Sequence, residues 1–319
     1  MKVLIYGAGS VGLGLASCLI KSGEEVALIG REETVQALRQ EGLWRTGIFG
    51  NYKAAAEDFI CFTSLQDLPN EDYDYVLVCT KTFDTEIAAR DISSCRFLQK
   101  GHGQVVLCQN GWGNAEIFST FFPRDRVKNA RVITGFIRLQ RNQVDITVHA
   151  DAIHIGNLFG PDISGLGPLA RAIDRGGIPS RVTGEICKDL WAKMLYNCNL
   201  NALGTLLDVP YGVLGESEET RSIMGEVVAE VFQVMAPAGH STHWRSPEDY
   251  METFYAKLLP ATYAHESSML QDIRGQRRTE IDALNGAVVG LGKQWKVDVP
   301  YNLLLCSLVK SLGKKPDLI

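Results

Sequence analysis

Six residues near the start of the chain, Gly7-Ala8-Gly9-Ser10-Val11-Gly12, constrain the fold more than any other stretch. They follow Lys2 to Tyr6 (KVLIY), an apolar run that reads as a buried parallel strand, and they open Ser10 to Lys21, where Leu13, Ala16, Cys18 and Ile20 follow a helical spacing. A G-x-G-x-x-G between strand and helix predicts a dinucleotide-binding turn. Gly7 permits the tight turn, Gly9 lets the backbone approach a pyrophosphate, and Gly12 allows helix and strand to touch, while the helix N-terminus turns its free N–H groups to the phosphates. Gly7, Ala8, Gly9, Ser10, Val11 and Gly12 are therefore the expected cofactor cradle; a glycine turn without a ligand is the plainer alternative.

The same stretch, Val3 to Ile20, carries no charged residue and approaches the length of a membrane span or signal peptide. The glycines at 7, 9, 12 and 14 cluster where a turn falls, and no cleavage pattern with a charged leader accompanies them, so a cytoplasmic, unprocessed protein is expected. Eight cysteines without a CxxC pair, several inside apolar runs, agree with a reducing compartment. With 32 basic and 37 acidic side chains and no long single-sign run, the net charge of −5 argues against nucleic acid or an anionic membrane as partner. The 319 residues, 45% hydrophobic and 22% charged, suit about two globular domains and exclude disorder, collagen and coiled coil.

Further strands are expected at Val26 to Ile29, Tyr75 to Thr80 and Val105 to Cys108, with helical stretches after Glu32 and after Phe83, an alternation that builds a doubly wound parallel sheet with helices on both faces. Leu43 to Thr63 reads as an excursion of short strands or loops. Arg131 to Gly156 alternates as several strands that would add an antiparallel edge to the sheet, and Ile178 to Val182 is a last candidate. From Gly184 the pattern is helical: Glu185 to Leu207, Ser217 to Ala236, Pro247 to Leu259, Ser267 to Arg274, Thr279 to Gln294 and Tyr301 to Leu312. This predicts a Rossmann-type domain over residues 1–184 and an all-helical domain over 185–319. Gly275 is expected in the left-handed conformation ending one helix, and Thr279 with Asp282 as a capping pattern that starts the next, with Glu280 in its first turn.

The second strand runs Ala27-Leu28-Ile29-Gly30-Arg31, where an NAD site would place an acidic residue; Arg31 instead suits a 2′-phosphate, so NADP is favoured. The alternative is a surface arginine, with Glu32 or Glu33 serving an NAD ribose. In the helical half Lys193, Asn197 and Asn201 fall at i, i+4 and i+8 on one stripe of an otherwise apolar helix. A lysine in a partly desolvated cleft is a candidate proton donor to a developing alkoxide; a solvated lysine with two amides is the alternative. Asn110, after the Val105 strand, offers donor and acceptor to a carboxamide or carbonyl, and Lys81 follows its own strand in the same way. Ser267-Ser268 and Glu280 open helices and offer hydroxyls and a carboxylate to the same cleft, or simply cap. The six histidines form no ligand set with the cysteines, and neither HExxH nor GxSxG occurs, so neither a metal site nor acyl transfer is expected.

Together GAGSVG with Arg31, CTK at Cys79 to Lys81, QNGWG at Gln109 to Gly113, WAKMLYNCNLNAL at Trp191 to Leu203 and SSMLQDIRGQRRTEIDALNG at Ser267 to Gly286 resemble the ketopantoate reductase (2-dehydropantoate 2-reductase) family, within the two-domain dehydrogenases similar to 6-phosphogluconate dehydrogenase. The resemblance implies NADPH-dependent reduction of ketopantoate to (R)-pantoate, towards pantothenate and coenzyme A. It implies Lys193 as proton donor and Glu280 as its support and a cofactor contact. It also implies Asn197, Asn201 and Ser268 as substrate ligands, and Lys81 and Asn110 on the nicotinamide side, Asn110 meeting substrate as well. Family members often carry another substrate-binding Asn after the lysine helix, where this chain has Pro210-Tyr211, leaving a related 2-oxo acid as the alternative substrate. A non-catalytic NADPH sensor is the alternative of another class, and a homodimer through the helical half is left open.

Overall fold

A computed structural model describes residues 1–95, 98 and 102–314. Strand β1 (Lys2–Tyr6) pairs in parallel with β2 (Glu25–Ile29) on one side and with Tyr75–Val78 on the other, with Val3 opposite Val26 and Tyr75. Buried on both faces, these strands read as continuous apolar runs, as parallel strands covered by helices must. With β3 (Leu43–Gly47), β4 (Tyr52–Ala54), β5 (Ile60–Phe62), β6 (Tyr75–Val78), β7 (Gln104–Leu107), β8 (Val127–Arg131), β9 (Thr134–Gln140), β10 (Gln143–His149), β11 (Ile153–Gly156) and β12 (Ser180–Val182), the strands form two sheets. The main sheet has the order β12-β11-β8-β7-β6-β1-β2-β5. Its order reverses between β1 and β6, the position at which open α/β sheets place their ligand crevice.

Two sequence expectations change here. The alternating segment Arg131 to Gly156 does not all join the main sheet: only β11, antiparallel to β8, and β12 beside it make the reversed edge. Strands β9 and β10 leave to form a second, four-stranded sheet, β4-β3-β10-β9, with the excursion after α2 (Glu32–Glu41). That sheet lies over α1 (Ser10–Lys21), where a Cβ added at Gly14 would stand 2.2 Å from the Phe136 ring. Cross-strand burial of Val144 and Ile146 against α1 outweighs extension of the main sheet.

Residues 187–314 are mainly helical, built on Ile186–Leu207, Glu218–Met235, Asn285–Trp295 and Pro300–Leu312 around Trp191, Leu195, Cys198, Val227, Val231 and Val288. Glu230, 4% exposed, caps the last helix from the side: its carboxylate accepts from the backbone N–H of Tyr301 (2.8 Å) and Asn302 (2.9 Å) and from the Asn302 amide (2.7 Å). A carboxylate there meets the positive end of the helix dipole. The stretch expected as one helix from Pro247 to Leu259 changes pitch: Pro247–Thr253 is α-helical and Phe254–Leu258 is a π-turn. Gly275 is right-handed at φ −85°, and Gln276 takes the left-handed conformation at φ 52°. The expected helix at Thr279 begins six residues later, at Asn285, after a 3-10 turn Ile281–Ala283 for which Glu280 is the cap residue.

The compact units are Met1–Gln109 with Asn114–Ile186, and Asn110–Gly113 with the chain from Cys187. The segment Asn110–Gly113, assigned from sequence to the first domain, thus belongs to the helical unit. Among the described residues no helix is long and apolar enough to cross a membrane.

Candidate active site

In the first unit the glycine turn has the geometry its sequence demands. Gly7 sits at φ 110°, and a Cβ there would lie 2.9 Å from the Thr80 backbone nitrogen at the end of β6. A Cβ on Gly12 would lie 2.1 Å from the Gly7 carbonyl oxygen, whereas Gly9 faces open space. The first backbone bond of α1 is Leu13 N–H to Gly9 O (2.8 Å), so the amides of Ser10, Val11 and Gly12 precede the helical ladder. Donors, dipole and space therefore fit a dinucleotide pyrophosphate. Ala8 follows in the turn, Arg31 is the exposed cap residue of α2, and Lys81 caps the 3-10 turn Thr82–Asp84 beyond β6.

In the helical unit Lys193, Asn197 and Asn201 share the stripe predicted for them on helix Ile186–Leu207. Trp191, Met194, Leu195, Cys198, Leu200, Ala202 and Leu203 are buried, so the rest of that helix is packed away while Lys193 and Asn197 stay half-buried. Lys193 donates from Nζ to Asn110 Oδ1 at 2.5 Å, and Asn110 donates from Nδ2 to Glu280 Oε2 at 3.5 Å. The Asn110 amide thus spans a cation and a carboxylate, each end facing the partner of matching polarity. Glu280 is 7% exposed, held by the break between helices rather than by a helical first turn.

The placement of Asn110 rests on its neighbours. Gly111 is left-handed at φ 77°, and its missing Cβ would stand 2.3 Å from the Ala283 carbonyl oxygen. Trp112 donates its backbone N–H to that same oxygen (2.9 Å) and lays its ring against both Trp191 (centroids 4.6 Å apart) and His240 (4.7 Å), which also face each other at 5.6 Å. Burial pulls the His240 imidazole below its ordinary value, which favours the neutral ring against these indoles. The QNGWG motif was visible in sequence, but the anchoring role of Trp112 was not, because nothing local links it to Ala283.

Asn201 is buried, and its Oδ1 accepts from the Tyr211 hydroxyl at 2.6 Å. This orients the amide so that Nδ2 points the other way. Burial raises the Tyr211 phenol well above its ordinary range, keeping it a donor, and pushes Tyr196, edge-on to Tyr211 at 5.8 Å, up to about 12. His265 packs edge-on to Tyr211 from the other side (5.3 Å), its pKa lowered by burial against the opposing pull of Glu266. Ser267 caps the helix Ser268–Arg274 by accepting from Leu270 N–H (2.9 Å), and Ser268, its first residue, is exposed. Asn110, Lys193 and Glu280 are thus brought together, while Asn201 is joined to Tyr211 instead.

The ketopantoate reductase PanE/ApbA family profile matches residues 3–160, and the profile of its C-terminal part matches residues 185–313. The chain belongs to the ketopantoate reductase family. Among curated relatives, 2-dehydropantoate 2-reductase of Aquifex aeolicus is 35% identical over 98% of this chain and 96% of its own, and that of Pyrococcus abyssi is 31% identical over 97% of each. A solved PanE/ApbA family ketopantoate reductase from Ralstonia eutropha superposes at TM-score 0.83 with 28% identity, covering 98% of each chain. D-mandelate dehydrogenase, solved with NADH and anilino(oxo)acetate, superposes at TM-score 0.86 with 26% identity over 98% of each chain. Membership of the ketopantoate reductase family agrees with the doubly wound sheet followed by a helical unit.

Proposed function

We propose that this chain reduces 2-dehydropantoate to (R)-pantoate with NADPH. The observation that carries the reading is the Lys193 ammonium held on the Asn110 amide beside Glu280, in a member of the ketopantoate reductase family with a glycine turn fitted to a dinucleotide. When bound, the reduced nicotinamide supplies hydride to the C2 carbonyl. Lys193 sets its Nζ proton at the carbonyl oxygen, favours the negative charge that develops there and delivers the proton to it. Asn110 and Glu280 fix the ammonium, and Asn110 reaches both substrate and cofactor. Asn197, Asn201 and Ser268 bind the polar groups of the substrate, and Gly7 to Gly12, Arg31, Lys81 and Glu280 serve the cofactor.

Loss of absorbance at the reduced-nicotinamide band with NADPH and ketopantoate tests the reading, and Lys193→Ala is expected to lower kcat by about 10²-fold or more with cofactor affinity retained. Wild-type protein inert towards every branched 2-oxo acid would overturn it and leave a non-catalytic NADPH sensor, whereas a lysine variant of full activity would overturn Lys193 as the proton donor. A second reading, reduction of a related 2-oxo acid, is favoured by the aromatic group Tyr196, Tyr211 and His265 around Asn201. The same assay over aliphatic and aromatic 2-oxo acids separates the two by kcat/KM.

A further inference from the structure

Among the described residues, two guanidiniums stand without a carboxylate partner at the start of α2. Arg31 is the cap residue of that helix, and its carbonyl oxygen accepts from Thr34 N–H at 2.9 Å. Arg138, on β9 of the second sheet, donates from Nη2 to Thr34 Oγ1 at 2.6 Å and to the Arg141 carbonyl at 2.5 Å, and from Nε to the Gln140 carbonyl at 3.2 Å. Thr34 is buried, so this tether docks the Arg138 guanidinium on the first turn of α2 beside Arg31. Every bond Arg138 makes among the described residues goes to a neutral oxygen. Burial first, then the positive charges of Arg141 and Arg31, pull its pKa below the ordinary arginine value against the opposing Glu33. Gathering like charges on a half-buried site is unfavourable unless an anion arrives.

The nearby carboxylates are turned to other partners. Glu33 pairs with Arg141 at 2.5 Å, and Glu32 accepts from Gln36 Nε2 at 2.8 Å. Both acidic residues that would serve an NAD ribose thus have partners, Glu32 on α2 itself and Glu33 at the turn between β9 and β10. The corner adjoins the glycine turn, since a Cβ added at Gly30 would stand 2.9 Å from the Ala8 Cβ. In a doubly wound fold the adenosine ribose lies at the end of the second strand.

We infer that Arg138, reaching across from the second sheet, is a second cation for the adenosine 2′-phosphate of NADP and acts with Arg31 to set cofactor choice. This rests on the NADPH reading above. A phosphate dianion between two guanidiniums would gain charge-assisted hydrogen bonds to both. The Arg141–Glu33 pair offsets the negative charge that Glu33 brings to the corner.

The test is calorimetric titration of the full chain with 2′,5′-ADP and with 5′-ADP, which differ in whether the ribose carries the 2′-phosphate. Wild type is expected to prefer 2′,5′-ADP. Arg138→Gln should weaken 2′,5′-ADP by roughly tenfold, far more than 5′-ADP, and should flatten the salt dependence of 2′,5′-ADP binding. Arg138→Lys should restore part of the preference, and Arg31→Gln with Arg138→Gln should abolish it. Thr34→Val, which removes the tether and leaves both charges, should give an intermediate loss. A wild type that discriminates while Arg138→Gln weakens both nucleotides equally, or neither, overturns the assignment of Arg138. A wild type without preference overturns the NADPH reading itself, and this proposal with it.

Discussion

Gly111→Ala is the most exacting perturbation of the site, because it touches no group assigned to chemistry. The new Cβ would stand 2.3 Å from the Ala283 carbonyl oxygen and 2.7 Å from its Cβ, where ordinary contact begins at 3.4 Å. The loop must therefore retreat by about 1 Å, and a displacement of that size at a positioned group costs about 10²-fold in rate. The left-handed backbone at φ 77° adds about 1–2 kcal/mol of strain for alanine, and loss of the Trp112 N–H bond to Ala283 adds about 1 kcal/mol. The expected outcome is a kcat about 10²-fold lower, with a melting temperature lower by roughly 5–10 °C and 2′,5′-ADP affinity unchanged. Gly113→Ala is the matched control: its φ of 98° carries the same strain, but no atom lies within 4 Å of its Cβ. It should lose stability without the hundredfold loss of rate. Steady-state kinetics and thermal unfolding of both variants decide the matter. Equal kcat for the two alanine variants, or full kcat in Gly111→Ala, would show that the loop does not place Asn110 on Lys193.

Three more outcomes follow from the helical unit. Tyr211→Phe removes the hydroxyl that orients the Asn201 amide and should raise KM for the 2-oxo acid by about five- to tenfold with kcat little changed; an unchanged KM would sever Tyr211 from substrate binding. Glu230→Ala strands two backbone N–H groups and the Asn302 amide in the interior and should cost about 3–5 kcal/mol in urea unfolding, whereas a loss below about 1 kcal/mol would mean the cap is dispensable. Burial pulls the His240 imidazole below its ordinary value in the folded state, so the unfolded chain binds more protons as pH falls through the ordinary histidine pKa of about 6.5. Stability should fall as pH drops from about 6.5, and His240→Phe should flatten that fall in melting-temperature profiles; an identical slope would assign it to other groups.

The parts of the fold visible in sequence were those encoded by local pattern. KVLIY followed by GAGSVG determined strand, turn and helix within twenty residues, and the i, i+4, i+8 spacing placed Lys193, Asn197 and Asn201 on one face because helical geometry needs no distant partner. What stayed hidden depended on contacts between distant segments. Strand alternation gave β9 and β10 their type but not their sheet, since pairing with β3 is decided by burial against α1. The start of the helix after Gly275 was placed too early, at Thr279, because Thr279 and Asp282 imitate a capping pattern, whereas the chain makes a 3-10 turn whose Ala283 carbonyl receives Trp112. Arg31 was readable as a candidate phosphate ligand from its position after β2, whereas the docking of Arg138 on Thr34 was not readable, since residue 138 lies 107 positions further along, on a strand with no local sign of its partner.

The assignment of Asn110–Gly113 to the helical unit has a consequence for modularity. The chain passes from one unit to the other three times, so cutting the gene near residue 186 would not yield two self-sufficient pieces. The helical piece would lack the indole that packs on Trp191 and His240 and the asparagine that holds the lysine. Such an enzyme cannot readily trade its nucleotide half for another by recombination, because the graft would have to carry a four-residue insert that fits its new host.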